Sequence, residues 1–138
     1  MNFPARASEP APDWKLEKTI DKFTAETSCQ IFRENGPATL KIFQIMGQKN
    51  TIGAVISSYA TFRITRFRID SGPAQYAAPV GILFDYANTH KPTMSDLLNI
   101  KTISIEYENP ADGKLDVIEF KVDHVQEAIE HLRERNCQ

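Results

Sequence analysis

Apolar residues recur along most of this chain with the two-residue period of β-strands, and the period lengthens to that of a helix only near the C-terminal end. Trp14, Leu16, Lys18 and Ile20 share one parity, which predicts a first strand over 13–20 with one mostly apolar face. The polar cluster 21–28 predicts a turn. A second strand begins at Cys29-Gln30-Ile31-Phe32 and is stopped by Glu34-Asn35-Gly36-Pro37, and 39–46 follows as its hairpin partner. The β-branched run 51–58 has the apolar continuity of a strand covered on both faces, with Gly53 marking a bulge or a close approach.

Residues 61–69 (TFRITRFRI) give the clearest strand signal, with a slip in it. Phe62 and Ile64 have one parity, Phe67 and Ile69 the other. One extra residue at Thr65-Arg66, a β-bulge, returns all four apolar side chains to one face and leaves Arg63, Arg66 and Arg68 on the opposite one. A loop with Pro73 and Pro79 leads to a short apolar strand over 80–86, and a helical turn over 94–100 takes Thr93 or Ser95 as its cap. The alternating run 101–107 (KTISIEY) and the run 114–122 form a hairpin across Asn109-Pro110-Ala111-Asp112-Gly113. In the second of these, Leu115 and Val117 differ in parity from Ile118, Phe120 and Val122, which admits either another bulge or a segment covered on both faces.

From 123 to 136 the apolar positions Val125, Ala128, Ile129 and Leu132 fall at helical spacing, one stripe for packing on a sheet, with Asp123 and Gln126 as a capping box. Several strands followed by one helix predict an α+β, mostly β fold: an antiparallel β-sandwich or twisted sheet of about seven or eight strands closed by a C-terminal helix. Residues 1–12, with three prolines and no periodicity, predict a disordered lead-in to a single domain over 13–138.

Composition narrows the function classes. The chain is 41% hydrophobic and 25% charged with a net charge of −2, which offers no global field to attract nucleic acid. No apolar stretch approaches the roughly 20 residues of a membrane helix. Ala5-Arg6-Ala7 has the small-x-small form of an export cleavage site with only four residues before it.

Cys29 and Cys137 belong to no CxxC pair and no zinc-type cluster. Paired, they would close a loop of about 109 residues, for which chain entropy gives about 4 to 5 kcal/mol and which would pin the last helix to the sheet. The alternative is two free thiols in a reducing compartment. The bridge and the cleavage-like triplet together favour a periplasmic or secreted protein.

Candidate chemistry is sparse. No nucleophile elbow occurs, and His90, His124 and His131 lie near no serine or cysteine motif, so no enzyme activity and no cofactor are expected. His124, Glu127 and His131 are spaced as neighbours on a helix and could bind zinc, against a solvated helix face with a Glu127–His131 pair as the plainer explanation. Arg63, Arg66 and Arg68 form the one local charge pattern, a strip suited to an acidic protein or an anionic envelope component. Its plainer explanation is a solvated sheet face paired with Glu106 and Glu108 on neighbouring strands.

The opening Trp14, the basic strand ending in Arg68-Ile69-Asp70, Leu97-Leu98 before KTISIEY, the Gly113 hairpin, and a last strand running into VQEAIEHL form a combined pattern. That pattern resembles the invasion-associated locus B family of small exported bacterial proteins. The resemblance implies a periplasmic or secreted β-rich domain without catalytic residues, with an envelope or host-interaction role, and it transfers no site residue. The expectation is thus an exported, non-enzymatic binding protein, with a periplasmic inhibitor or immunity protein that blocks a toxin or hydrolase as the alternative.

Overall fold

The structure is a computed structural model that describes residues 14–45, 48–59 and 62–135. The expected lead-in 1–12 and Cys137 lie outside the described residues. Among the described residues, nine strands and two helices follow in the order β1 (Lys15–Ile20), β2 (Thr27–Asn35), β3 (Ala38–Ile45), β4 (Gln48–Ser58), β5 (Arg63–Ile69), β6 (Ala74–Tyr76), β7 (Ile82–Phe84), α1 (Met94–Asn99), β8 (Thr102–Glu108), β9 (Leu115–Lys121) and α2 (Val125–Arg135).

They form two antiparallel sheets in a sandwich-like fold, a five-stranded one ordered β1-β2-β3-β4-β7 and a four-stranded one ordered β6-β5-β8-β9. Ile31, Leu40, Ile42, Ala54, Ile56 and Phe84 from the first sheet join Ile103, Ile105 and Phe120 from the second in one buried cluster. Val125, Ala128, Ile129 and Leu132 complete it from α2, which touches β2, β3 and α1. Burying these side chains is the main favourable term in folding, at roughly 25 cal/mol per Å² of apolar surface removed from water.

The hairpins and the C-terminal helix stand where the pattern puts them, whereas β4 buries one face only, through Ile52, Ala54 and Ile56, with Val55 partly exposed on the other, and the strand expected over 80–86 contracts to Ile82–Phe84. β6 is an addition, three residues within the expected loop between Pro73 and Pro79, too short for a period to show. β4 starts at Gln48 rather than at 51. Gly53 marks a close approach: a Cβ there would come within 2.8 Å of Ile45 Cδ1 and 3.1 Å of the Phe43 ring, so both side chains can lie across a bare backbone. Gly81 lets β7 dock on β4, because at φ +113° its missing Cβ would stand 2.1 Å from the Ile56 carbonyl oxygen.

Three local expectations are corrected. β1 is exposed along its whole length, because it is the outermost strand and only the preceding Trp14 reaches the core. Asp123 does not cap α2; its Oδ1 accepts from Arg33 Nη1 at 2.5 Å, while Nη1 also donates to the Lys121 carbonyl at 2.7 Å and Trp14 Nε1 to the Asp123 carbonyl at 3.2 Å. The guanidinium lies 4.6 Å from the Trp14 ring centroid, and this cluster ties the start of the domain to the start of α2. His131 is buried, 3% exposed, rather than paired with Glu127 on a solvated face. Three residues past Ala128, it widens the apolar stripe by about 60° at helical spacing.

Candidate functional site

The outer face of the four-stranded sheet carries the arginine strip, and the bulge in β5 puts it there. Register against β8 runs Ile64 to Tyr107, then Arg66 to Glu106 and Phe67 to Ile105, so Thr65 is the extra residue. Ile64 and Phe67 consequently both turn inward and are buried, while Arg63, Arg66 and Arg68 are all exposed. Phe62 also joins the inward side, edge-on to Tyr107 with ring centroids 5.6 Å apart.

The outward side chains stand in cross-strand rows. Tyr76, Arg66, Glu106 and Val117 form one; Arg63, Glu108 and Leu115 form the next; Ala74, Arg68, Ser104 and Glu119 form a third. Arg66 grips Glu106 with two parallel bonds, Nε to Oε1 at 2.9 Å and Nη2 to Oε2 at 2.7 Å, and Thr65 Oγ1 donates to the same carboxylate at 2.8 Å. These donors, Arg66 first, hold the Glu106 carboxyl down to about 2, and the carboxylate in turn raises the Arg66 guanidinium. Arg63 approaches Glu108 more loosely, at 3.7 Å, with both side chains largely in solvent. Arg68, between Ala74 and Ser104, has no carboxylate directly opposite.

The sequence-predicted strip is therefore assembled, and for two of its three arginines in the form of its plainer explanation: Arg66 meets Glu106 and Arg63 approaches Glu108, while Arg68 has no carboxylate opposite. Charge neutralised in place suits a bare polyanion poorly. The face also carries apolar groups that the sequence reasoning did not single out as a surface. Tyr76 is 85% exposed, Val117 61% and Leu115 56%, beside a shallow cavity of about 610 Å³ bordered by Arg63, Arg66, Pro79 and Glu106. The signal for Val117 and Leu115 was the parity change in β9, where no bulge occurs and the register is continuous from Lys121 to Leu115. Tyr76 had no periodic signal at all.

A second apolar group stands alone at the tip of the β1–β2 hairpin. Phe23 is 96% exposed on a turn fixed by Asp21, whose Oδ1 accepts from the Phe23 and Thr24 amides at 2.8 and 3.2 Å. Those bonds hold the Asp21 carboxyl below its ordinary value.

The zinc arrangement is not formed. His124 precedes α2 and is half exposed, with Nδ1 3.7 Å from Glu127 Oε2, whereas His131 is turned into the core. Among the described residues no group of three or more His, Cys, Asp or Glu side chains is placed to hold a metal, and no helix is long and apolar enough to cross a membrane. Cys29 is buried, 4% exposed, and no free cysteine occurs among the described residues. No protein-family model matches this chain, and no curated protein and no solved structure matches it either.

Proposed function

We propose that this chain is a non-enzymatic binding domain that works outside the cytoplasm, in the periplasm or after secretion, and docks a protein partner on the outer face of its four-stranded sheet. The observation that carries this reading is the mixed character of that face: Tyr76, Val117 and Leu115 exposed around an internally neutralised Arg66–Glu106 pair. Large exposed apolar side chains beside a polar pair that is already satisfied mark protein interfaces more than polyanion sites. The resemblance to the invasion-associated locus B family supports the compartment and an envelope or host-interaction role, and the same reading includes a Cys29–Cys137 bridge.

A photo-crosslinker at Val117, in cells that secrete the protein, identifies the partner, which is then titrated in purified form against Val117→Asp and Tyr76→Ser. Each substitution is expected to weaken binding by about tenfold or more, as for large apolar anchors of an interface. Unchanged affinity in both overturns the assignment of this face. Thiol titration of the denatured secreted protein tests the compartment: no thiol reactive before reduction and two after it are expected, and two reactive from the outset contradict it.

Phe23 favours a second reading, the inhibitor or immunity protein. A rigid turn presenting one fully exposed aromatic ring has the form of a loop-borne plug for a partner's cleft. Loss of binding in Phe23→Ser with retention in Val117→Asp selects it.

A further inference from the structure

Away from that face, a cavity of about 450 Å³ opens between the end of β3 and the segment after β7. Its walls are Phe43 and Ile45, lying across the bare backbone of Gly53, and Leu83 and Tyr86 from the other side. Leu83, 58% exposed, and Tyr86, 46% exposed, are large apolar side chains left in water with no covering element among the described residues. The size and the apolar lining with a few polar groups at one end are those of small-molecule sites.

The polar end is a loop that Asp85 builds around itself. Its carboxylate accepts from the amides of Ala87 at 2.8 Å, Thr89 at 3.1 Å and His90 at 2.7 Å, and from Thr89 Oγ1 at 2.7 Å. These bonds keep the Asp85 carboxyl well below the usual carboxylate range, and its acceptor capacity is committed to the loop. Lys91 is the standing donor left to meet a ligand at the rim, its charge also reaching Asp96. Beside it, His90 Nδ1 donates to Thr89 Oγ1 at 3.0 Å, because the Thr89 hydrogen goes to Asp85, so the outward Nε2 is a donor only in the imidazolium form.

We infer that this cavity is a binding site for a small aromatic monoanion, the ring held by Phe43, Ile45, Leu83 and Tyr86 and the acidic head by Lys91 and by the imidazolium form of His90. Donors at one end of an apolar cleft select a ligand whose charge sits at one end of an apolar body. The site is independent of the protein-docking face.

The experiment uses two dyes, anilinonaphthalene sulfonate and its uncharged analogue phenylnaphthylamine, titrated by fluorescence into the full chain with its near-ultraviolet circular dichroism intact. The sulfonate is expected to bind saturably at one site, and His90→Ala with Lys91→Ala to weaken it about tenfold while changing the neutral dye less than about twofold. Leu83→Asp, at a half-exposed position that the fold tolerates, should remove both dyes, and Phe23→Ser should leave both unchanged. Absence of saturable sulfonate binding, or sulfonate binding unchanged in Leu83→Asp, overturns the site. Equal loss of both dyes, or of neither, in the double variant overturns the anion preference.

Discussion

β5 and β9 carry the same irregularity in sequence, a change of apolar parity midway, and resolve it in opposite ways. In β5 an extra residue at Thr65 restores the phase, so that Ile64 and Phe67 are both buried and the three arginines all face out. In β9 the ladder runs without a shift, so Phe120 is buried while Val117 and Leu115 stay in water. The difference lies in what a regular strand would have put on the wrong face. Without the bulge, β5 would turn either Arg66 and Arg68 or Arg63 into the core, and burying an unpaired charge is far more costly than a distorted ladder. β9 without a bulge merely leaves a valine and a leucine exposed, about 1.5–3 kcal/mol of unrealised burial for each. A parity change therefore predicts a bulge where the misplaced residues are charged, and an exposed apolar patch where they are not.

The largest test of this contrast is a pair of one-residue deletions. Removing Thr65 leaves Ile64, Arg66 and Phe67 against Tyr107, Glu106 and Ile105 in unbroken register, so the fold is expected to survive. The loss is confined to the Thr65 bond to Glu106 and the Ala77 amide bond to the Thr65 carbonyl, about 1 to 2 kcal/mol. Removing Ser104 from the regular strand β8 throws Ile103 or Ile105, both fully buried, to the solvent face and should cost more than about 4 kcal/mol. Urea unfolding of the two variants decides it, and equal losses would contradict the role given to the bulge. Next in size is the contrast between the two faces of β9. Phe120→Ala should cost about 3–5 kcal/mol by the same measurement. Val117→Ala should lie within about 0.5 kcal/mol of the parent.

How much of this was legible in the chain follows from the same physics. The strand period, the β5 bulge and the terminal helix are written in side chains whose burial or exposure is energetically decisive, and so they could be read. The arginine strip was visible for that reason too. The site's apolar half was ambiguous, because Val117 and Leu115 cost little in either position, and Tyr76 sits in a three-residue strand too short to show a period. The exposure of β1 was hidden as well: Leu16 and Ile20 alternate properly, but nothing local says that the sheet ends there. The buried His131 escaped because helical spacing sets the position of a residue on the wheel and not the width of the covered stripe.

A smaller effect concerns the ion pair that neutralises Arg66 in the β5 strip. Glu106 has its carboxyl lowered from 4.5 to about 2 in the folded state, mainly by Arg66 and then by Thr65. The stabilisation is therefore fully present above the unfolded value and is lost as pH falls through the folded one, between about pH 4.5 and 2. Several other carboxylates, Asp85, Asp96 and Asp123 among them, are also lowered, so the acid limb of the parent alone assigns nothing. The difference between parent and Glu106→Gln isolates this pair: the variant's stability should decline less steeply across that window. Because the Arg66 side chain is nearly half exposed, the effect should be well below that of Phe120→Ala. Parallel curves would mean that the strip is held outward by the bulge alone.

The smallest stability change belongs to Val117→Lys, and it separates the two meanings of an exposed apolar face. If Val117 stands in water only because β9 had no cheaper register, replacing it with lysine is neutral for folding, within about 0.5 kcal/mol, and has no other consequence. If the face is used, stability is again unchanged but partner binding falls, since a lysine there sets a new charge among the exposed apolar groups, opposite a Glu106 already bonded to Arg66. The row Tyr76, Arg66, Glu106 and Val117 makes this position informative, because Glu106 is already committed to Arg66 and Thr65 and is poorly placed to neutralise a second cation. A loss of binding without a loss of stability thus assigns the β9 patch to recognition, whereas unchanged binding leaves it as the by-product of an unbulged strand.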